Sequence, residues 1–282
     1  MTTLIKITII ILGMFTVTAN AQDFQGVATY KTHRDFDIKI DSTKMNNAMQ
    51  KQMMEMMKKQ FRKTYILTFD QSSSLYKQEA ELDKPQVGGG IQMSFGSSGS
   101  DVFYKNIKRK TYADQKETMG KNFLIKDSIS PIEWKLESDT KHIGEYMCFK
   151  ATYTKQVPKV NFDLKSNSKI NDENEEDKEL EMEERIITAW YTPQIPVSNG
   201  PAKYQGLPGL ILEIHDGELT IICNKIIINP EDKVEIEAPT EGKEVSQSEY
   251  DDIMKKKTKE MLERYAPSRG SKNETIHISI GG

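Results

Sequence analysis

Five methionines at helical spacing, Met45, Met49, Met53, Met56 and Met57, form the grouping in this 282-residue chain best suited to hold something soft. Thioethers are ligands for Cu(I). Methionine is equally an adaptable apolar filler on the buried face of a helix. Six basic residues between Lys44 and Lys63, against Glu55 alone, repel a cation and favour packing, into a sheet or onto an apolar ligand. A second grouping is Glu213 and His215, which share a strand face at i, i+2, with Glu218 across a hairpin. His33, His142 and His277 are scattered, and neither H-E-x-x-H nor C-x-x-C occurs. No metal site and no cofactor are expected, and the five methionines are the alternative ligand set. Nucleophilic chemistry finds little footing. GSSGS (96–100) lies in a Gly- and Ser-rich run rather than at a strand-to-helix turn, and G-x-S-x-G is missing. Cys223 and His215 fall on opposite strand faces, which parts a thiol from its base. The reading is non-enzymatic.

These groups must be positioned by the elements around them. Lys44, Lys51, Lys58 and Arg62 occupy one arc of a helical wheel and the methionines the other, so 41–63 reads as an amphipathic helix capped by Asp41 or Ser42. Basic amphipathic helices also suit anionic lipid surfaces or a partner groove. From Thr64 the period becomes two. TYILTFD, SSLYKQE, VFYKNIKRKTYADQKE, KNFLIKDS, EWKLESD, GEYMCFKATYTK and RIITAWYT read as strands or strand pairs, as does GVATYKTH (26–33) before the helix. LILEIH-DG-ELTIICNKIIIN reads as a hairpin with an Asp216-Gly217 loop. That register gathers Leu210, Leu212, Ile214, Leu219, Ile221 and Cys223 on one apolar face. Cys148 and Cys223 have a disulfide open to them, which spacing alone does not decide. A helix over 245–267 follows, ending at Pro267 and Gly270.

Two insertions interrupt the pattern: the Gly- and Ser-rich 83–101 and the acidic 166–184, within which 171–184 holds nine acids and one lysine. A block of like charge reads as a solvated loop. The formal net charge of the chain is −3, and its balance is not a nucleic-acid footprint. The N-terminus carries Lys6, an apolar run from Ile7 to Val17 and Ala19-Asn20-Ala21, the layout of a secretory signal peptide over 1–21. No cysteine follows for lipid attachment, and no later run could span a membrane. The expectation is a periplasmic protein with one domain over 22–270 and a short tail over 271–282.

Residues 189–217, AWYTPQIPVSNGPAKYQGLPGLILEIHDG, concentrate Pro and Gly between apolar runs. In Leu207-Pro208-Gly209-Leu210, Pro sits where φ near −65° is wanted and Gly where φ is positive, the chemistry of a type II turn. Gly206 suggests close approach to a neighbouring backbone. Gly206-Leu207-Pro208-Gly209-Leu210-Ile211 is the signature of the GLPGLI family of secreted proteins of Bacteroidota, and this block resembles that family's centre. WKL (134–136) and Ile143–Ala151 resemble its second block. The resemblance anchors roughly 120–225 and brings no catalytic residues with it. The layout is also similar, at the level of fold, to LolA/LolB-like periplasmic carriers.

The resulting expectation is one α+β domain: a single curved antiparallel sheet, half-barrel-like, of about nine to eleven strands. The N-terminal Met-rich helix and the C-terminal helix cover its concave face. The expected function is a periplasmic binding or carrier protein. Its concavity would hold a lipid or another apolar ligand, or a protein segment passing to or from the outer membrane. Met49, Met53, Met56, Trp134, Trp190, Leu210 and Leu212 are the residues expected to line it. The alternatives are copper handling by the helix methionines, or an accessory subunit docked on an outer-membrane transporter.

Overall fold

The computed structural model describes residues 24–34, 62–79, 101–158 and 182–265. The expected signal peptide, the Met-rich helix, the Gly-rich insertion up to residue 100, residues 166–181 and the tail lie outside the described residues.

Twelve strands form one sheet: β1 (Gln25–Arg34), β2 (Thr64–Asp70), β3 (Ser73–Gln78), β4 (Val102–Asn106), β5 (Thr111–Thr118), β6 (Lys121–Ser128), β7 (Lys135–Ile143), β8 (Tyr146–Pro158), β9 (Met182–Thr192), β10 (Leu210–Asp216), β11 (Leu219–Ile228) and β12 (Lys243–Val245). Their spatial order is β12-β6-β5-β4-β3-β2-β1-β11-β10-β9-β8-β7. The sheet is antiparallel except at β12, which runs parallel to β6. Three residues are too few to show a period, which is why this strand escapes a reading of the sequence. Gly242, at φ 114°, admits it: a Cβ there would lie 2.8 Å from the Phe123 carbonyl carbon. β9 begins at Met182, so the last residues of the acidic insertion are strand.

Chain connectivity demands that this sheet curl. β6 and β7 are consecutive in the chain but ten positions apart in the sheet, roughly 48 Å if it were flat. Residues 129–134 alone join them, a reach of about 25 Å at full extension. Tyr204 reports the same curvature. Its carbonyl accepts from Lys105 Nζ on β4 at 3.0 Å, while its phenol donates to Asp216 Oδ2 at the end of β10 at 2.6 Å. Those strands are five positions apart, about 24 Å in a flat sheet.

The inside of the curl is filled by the chain's own segment 193–209, a plug joining β9 to β10. Ile195, Val197, Tyr204 and Leu207 are each no more than 3% exposed and pack with Tyr30, Leu67, Tyr76, Ile187 and Ile214 in one core. The plug's backbone is tied down as it goes. Leu210 N and Ile211 N donate to Ile195 O and Asn199 O at 3.0 and 2.9 Å. Trp134 Nε1 donates to Gln205 O at 2.8 Å, and Tyr30 Oη to Ile211 O at 2.7 Å.

Two glycines exchange the roles expected of them. Gly206 adopts φ 98°, whereas the φ of Gly209 is not positive. A Cβ on Gly209 would lie 2.2 Å from Thr192 O, while one on Gly206 would meet the Trp134 indole at 3.7 Å. Gly209 N donates to Leu207 O at 2.8 Å, so Pro208 centres a three-residue γ-turn in place of the type II turn. The fixed φ of proline suits both turns, so residue types do not separate them. The hairpin register also differs from the expected one. Asp216 pairs with Leu219 and Ile214 with Ile221, which makes Gly217-Glu218 the loop. Gly217, at φ 59°, takes the position that a type II′ turn reserves for glycine. A slip of two residues keeps Ile214 and Ile221 on their expected face, but a bulge between Ile211 and Glu213 moves Ile211, opposite Tyr191, onto that face as well.

The one helix among the described residues, α1 (Gln247–Tyr265), does not cover the concavity. It packs at the sheet's edge, where Tyr250 and Ile253 join Tyr112, Phe123, Ile125 and Val245 in a second core. Its start is fixed by a capping box: Glu249 N donates to Ser246 Oγ at 3.2 Å, and Ser246 N to Glu249 Oε2 at 2.7 Å. Val245 before the cap and Tyr250 in the first turn pack in the same core, forming a hydrophobic staple.

Candidate ligand groove

A groove of ≈ 540 Å³ opens between α1 and the β5–β6 hairpin, a size suited to a small ligand. Phe123, Ile253 and Met254 line it with buried or half-buried surface, and Met119 adds an exposed side chain from the hairpin tip. Lys121 and Lys243, both exposed, and Lys257 also line it. Lys257 is paired with Glu260 at 2.6 Å, whereas Lys121 and Lys243 have no ion pair among the described residues. The groove therefore has an apolar floor and a cationic rim. Each wall has a local cause. The capping box starts α1 where Ile253 and Met254 face the hairpin, and Gly242 lets Lys243 lie against β6.

The residues expected to line a cavity are not brought together there. Leu210 and Leu212, at 0% and 1% exposure, lie in the closed core. Trp134 stacks edge-on against Tyr153 at 4.8 Å and holds the plug through Gln205. Trp190 pairs with Lys150 on β8, three residues from Tyr153, and so points to the opposite face of the sheet. Lys141 Nζ lies over its ring at 4.4 Å. Met45, Met49, Met53, Met56 and Met57 lie outside the described residues. Within the motif, Leu207, Leu210 and Ile211 are core residues. Gly206, Pro208 and Gly209 shape the turn. Cys148 and Cys223 are buried free thiols in this structure. Burial pushes the Cys148 thiol up to about 11 and the Cys223 thiol up to about 12.

The Glu213–His215 grouping forms on the outer face. His215 Nε2 meets Glu213 Oε1 at 2.5 Å, and Lys141 Nζ meets the same oxygen at 2.6 Å. Thr220 Oγ1 lies 3.2 Å from His215 Nδ1. Threonine, histidine and glutamate in that order resemble a nucleophile with its base and acid. Yet the Thr220 strand is paired on both sides, which commits its backbone N–H groups to the ladder. Among the described residues this line-up lacks the oxyanion donors that acyl transfer needs. No group of three or more His, Cys, Asp or Glu side chains among them could hold a metal ion, Glu218 included. No described helix is long and apolar enough to cross a membrane.

The groove leaves little trace in the sequence. Met119 sits at a hairpin tip where periodicity carries no information. The Ser246-x-x-Glu249 spacing, by contrast, was a legible signal for where α1 begins.

No curated protein matches the chain. Solved structures of PNGF-II in its C2 and P21 space groups are similar to it, with TM-scores of 0.46 and 0.47 and 16% and 15% identity. The matches cover 83% and 82% of this chain and 33% of each of theirs, so the chain spans about a third of the length of the structures it matches. Residues 134–213, which run from the tryptophan that holds the plug to the glutamate of the outer-face cluster, match the family model described as "Protein of unknown function (Porph_ging)".

Proposed function

We propose that this is a non-enzymatic binding protein of the bacterial periplasm. Its ligand is an amphipathic molecule, an apolar chain with an anionic head, held between α1 and the β5–β6 hairpin. The observation that carries the reading is the pairing of an apolar floor (Phe123, Ile253, Met254) with Lys121 and Lys243 on the rim, which have no ion pair among the described residues. Apolar lining supplies most of the affinity in such sites, and a few charged groups set orientation. The export signal over 1–21 and the GLPGLI and LolA/LolB-like resemblances belong to the same reading. The carrier's seat moves from the concavity, which the plug fills, to the groove beside it.

The test is a titration of the purified mature chain with oleate, oleyl alcohol and tetradecyltrimethylammonium, followed by native mass spectrometry. Oleate is expected to bind best, and Lys121→Glu with Lys243→Glu to weaken it about tenfold, the size of one favourable charge contact. Met119→Asp is expected to weaken oleate without loss of stability, because aspartate tolerates the left-handed φ of 51° found there. Equal binding of the cationic detergent, or no binding of oleate, would overturn the reading.

A further inference from the structure

The β5–β6 hairpin ends in a turn that residue preference does not explain. Thr118 pairs with Lys121, so Met119-Gly120 is a two-residue loop. Both residues have positive φ, 51° and 71°, which makes it a type I′ turn, whose central positions favour asparagine, aspartate and glycine. Methionine there bears the steric cost of the left-handed region. Its side chain recovers little by burial, being 54% exposed. A Cβ on Gly120 would meet nothing within 4 Å, so no described segment crowds that side of the tip. Strain held at an exposed apolar residue points to a contact outside the fold.

Cations surround this tip. Lys121 and Lys243 lie on the Phe123 face of the sheet, one two residues before Phe123 and the other opposite it. Lys255 and Lys256 are exposed on α1 next to Met254, which lines the same groove as Met119. None of these four lysines has an ion pair among the described residues. Glu260, the acid that lines the groove, is paired with Lys257 at 2.6 Å. Asp251 and Asp252 sit one turn nearer the start of α1, which lies by Asp127 at the far end of β6 from the tip.

We propose that this is a membrane-docking surface. Met119 enters the headgroup region of an anionic bilayer, and Lys121, Lys243, Lys255 and Lys256 lie against the lipid phosphates. Apolar insertion and surface charge add in such contacts, each being weak alone. Docking sets the mouth of the groove against the lipid, but the surface does not depend on what the groove holds.

The experiment is co-sedimentation of the mature chain with vesicles of phosphatidylethanolamine and phosphatidylglycerol in equal parts, beside vesicles of phosphatidylcholine alone. Binding is expected on the anionic vesicles at low salt, and release as salt is raised. Lys255→Gln with Lys256→Gln, outside the groove lining, is expected to lower vesicle affinity about tenfold or more and to leave the oleate titration unchanged. Met119→Trp is expected to shift its emission to the blue on the anionic vesicles and to be quenched by lipids brominated along the acyl chain, with wild type, carrying Trp134 and Trp190, as the baseline. Equal binding to phosphatidylcholine, full affinity in the lysine variant, Met119→Trp emission unmoved by vesicles, or no sedimentation would each overturn the proposal. The oleate titration contains no vesicles, so failure of one assay removes only the reading it tests.

Discussion

Replacing Lys105 with methionine probes how the plug is held. Lys105 is 1% exposed, and its ammonium donates to Gly200 O at 2.8 Å and Tyr204 O at 3.0 Å. No carboxylate is paired with it among the described residues. Burial brings its pKa down from 10.5 to about 7. In the unfolded chain the amine titrates at its ordinary value, so the two states differ by a proton between pH 7 and 10.5. Across that window the unfolded chain is the protonated one, and stability therefore rises with pH. Below pH 7 both states are protonated, and the cost of the buried charge, about 5 kcal/mol, is fully present and constant. Above pH 10 the buried phenols of Tyr30 and Tyr76, raised by burial, act in the opposite sense. The measurement therefore belongs between pH 6 and 9.5.

Methionine keeps the stem of the side chain and removes the titration, but it leaves two carbonyls without a donor, at about 1–3 kcal/mol each. At pH 7 gain and loss nearly cancel, so stability at a single pH decides little. The slope decides. Wild type should gain about 3 kcal/mol on Lys105→Met between pH 7 and 9.5, with no further change between pH 6 and 6.5. Urea unfolding of the mature chains across that range measures it. Parallel curves would refute the argument, since they would mean that Lys105 titrates alike in both states.

Other consequences are quicker to check. Gly209→Ala forces a methyl to 2.2 Å from Thr192 O and should cost about 3 kcal/mol or more in urea unfolding. Gly206→Ala, strained only through its φ of 98°, should cost about 1–2 kcal/mol, and the reverse ranking would reinstate the type II turn. Ser246→Ala removes the α1 cap and should cost about 1 kcal/mol in thermal unfolding, or nothing if the capping box is not formed in solution. The thiols of Cys148 and Cys223, pushed up to about 11 and 12, should react with Ellman's reagent at pH 8 only as fast as the chain opens. A rapid stoichiometric burst would contradict their burial.

The strands were legible because alternation survives wherever one face is buried. TYILTFD and KNFLIKDS, read from period alone, coincide with β2 and β6 from end to end. The site was less legible, and Leu210 and Leu212 show why. Apolar type says that a side chain leaves water; it does not say whether protein or ligand lies on the other side. That depends on the long-range curl of the sheet, in which β11 pairs with the distant β1, and this leaves no mark in local sequence. A plug of irregular backbone inside a curled sheet must still find donors for its carbonyls. Here Lys105 and Trp134 supply them to Gly200, Tyr204 and Gln205, and Tyr30 caps Ile211 just beyond the plug. Alternation in VFYKN puts Lys105 on the same face as Phe103, where a cation has no reason to be unless buried oxygen lies opposite. Read that way, one lysine in a short strand already points to buried backbone oxygen opposite it, which the Pro- and Gly-rich segment supplies from inside the sheet.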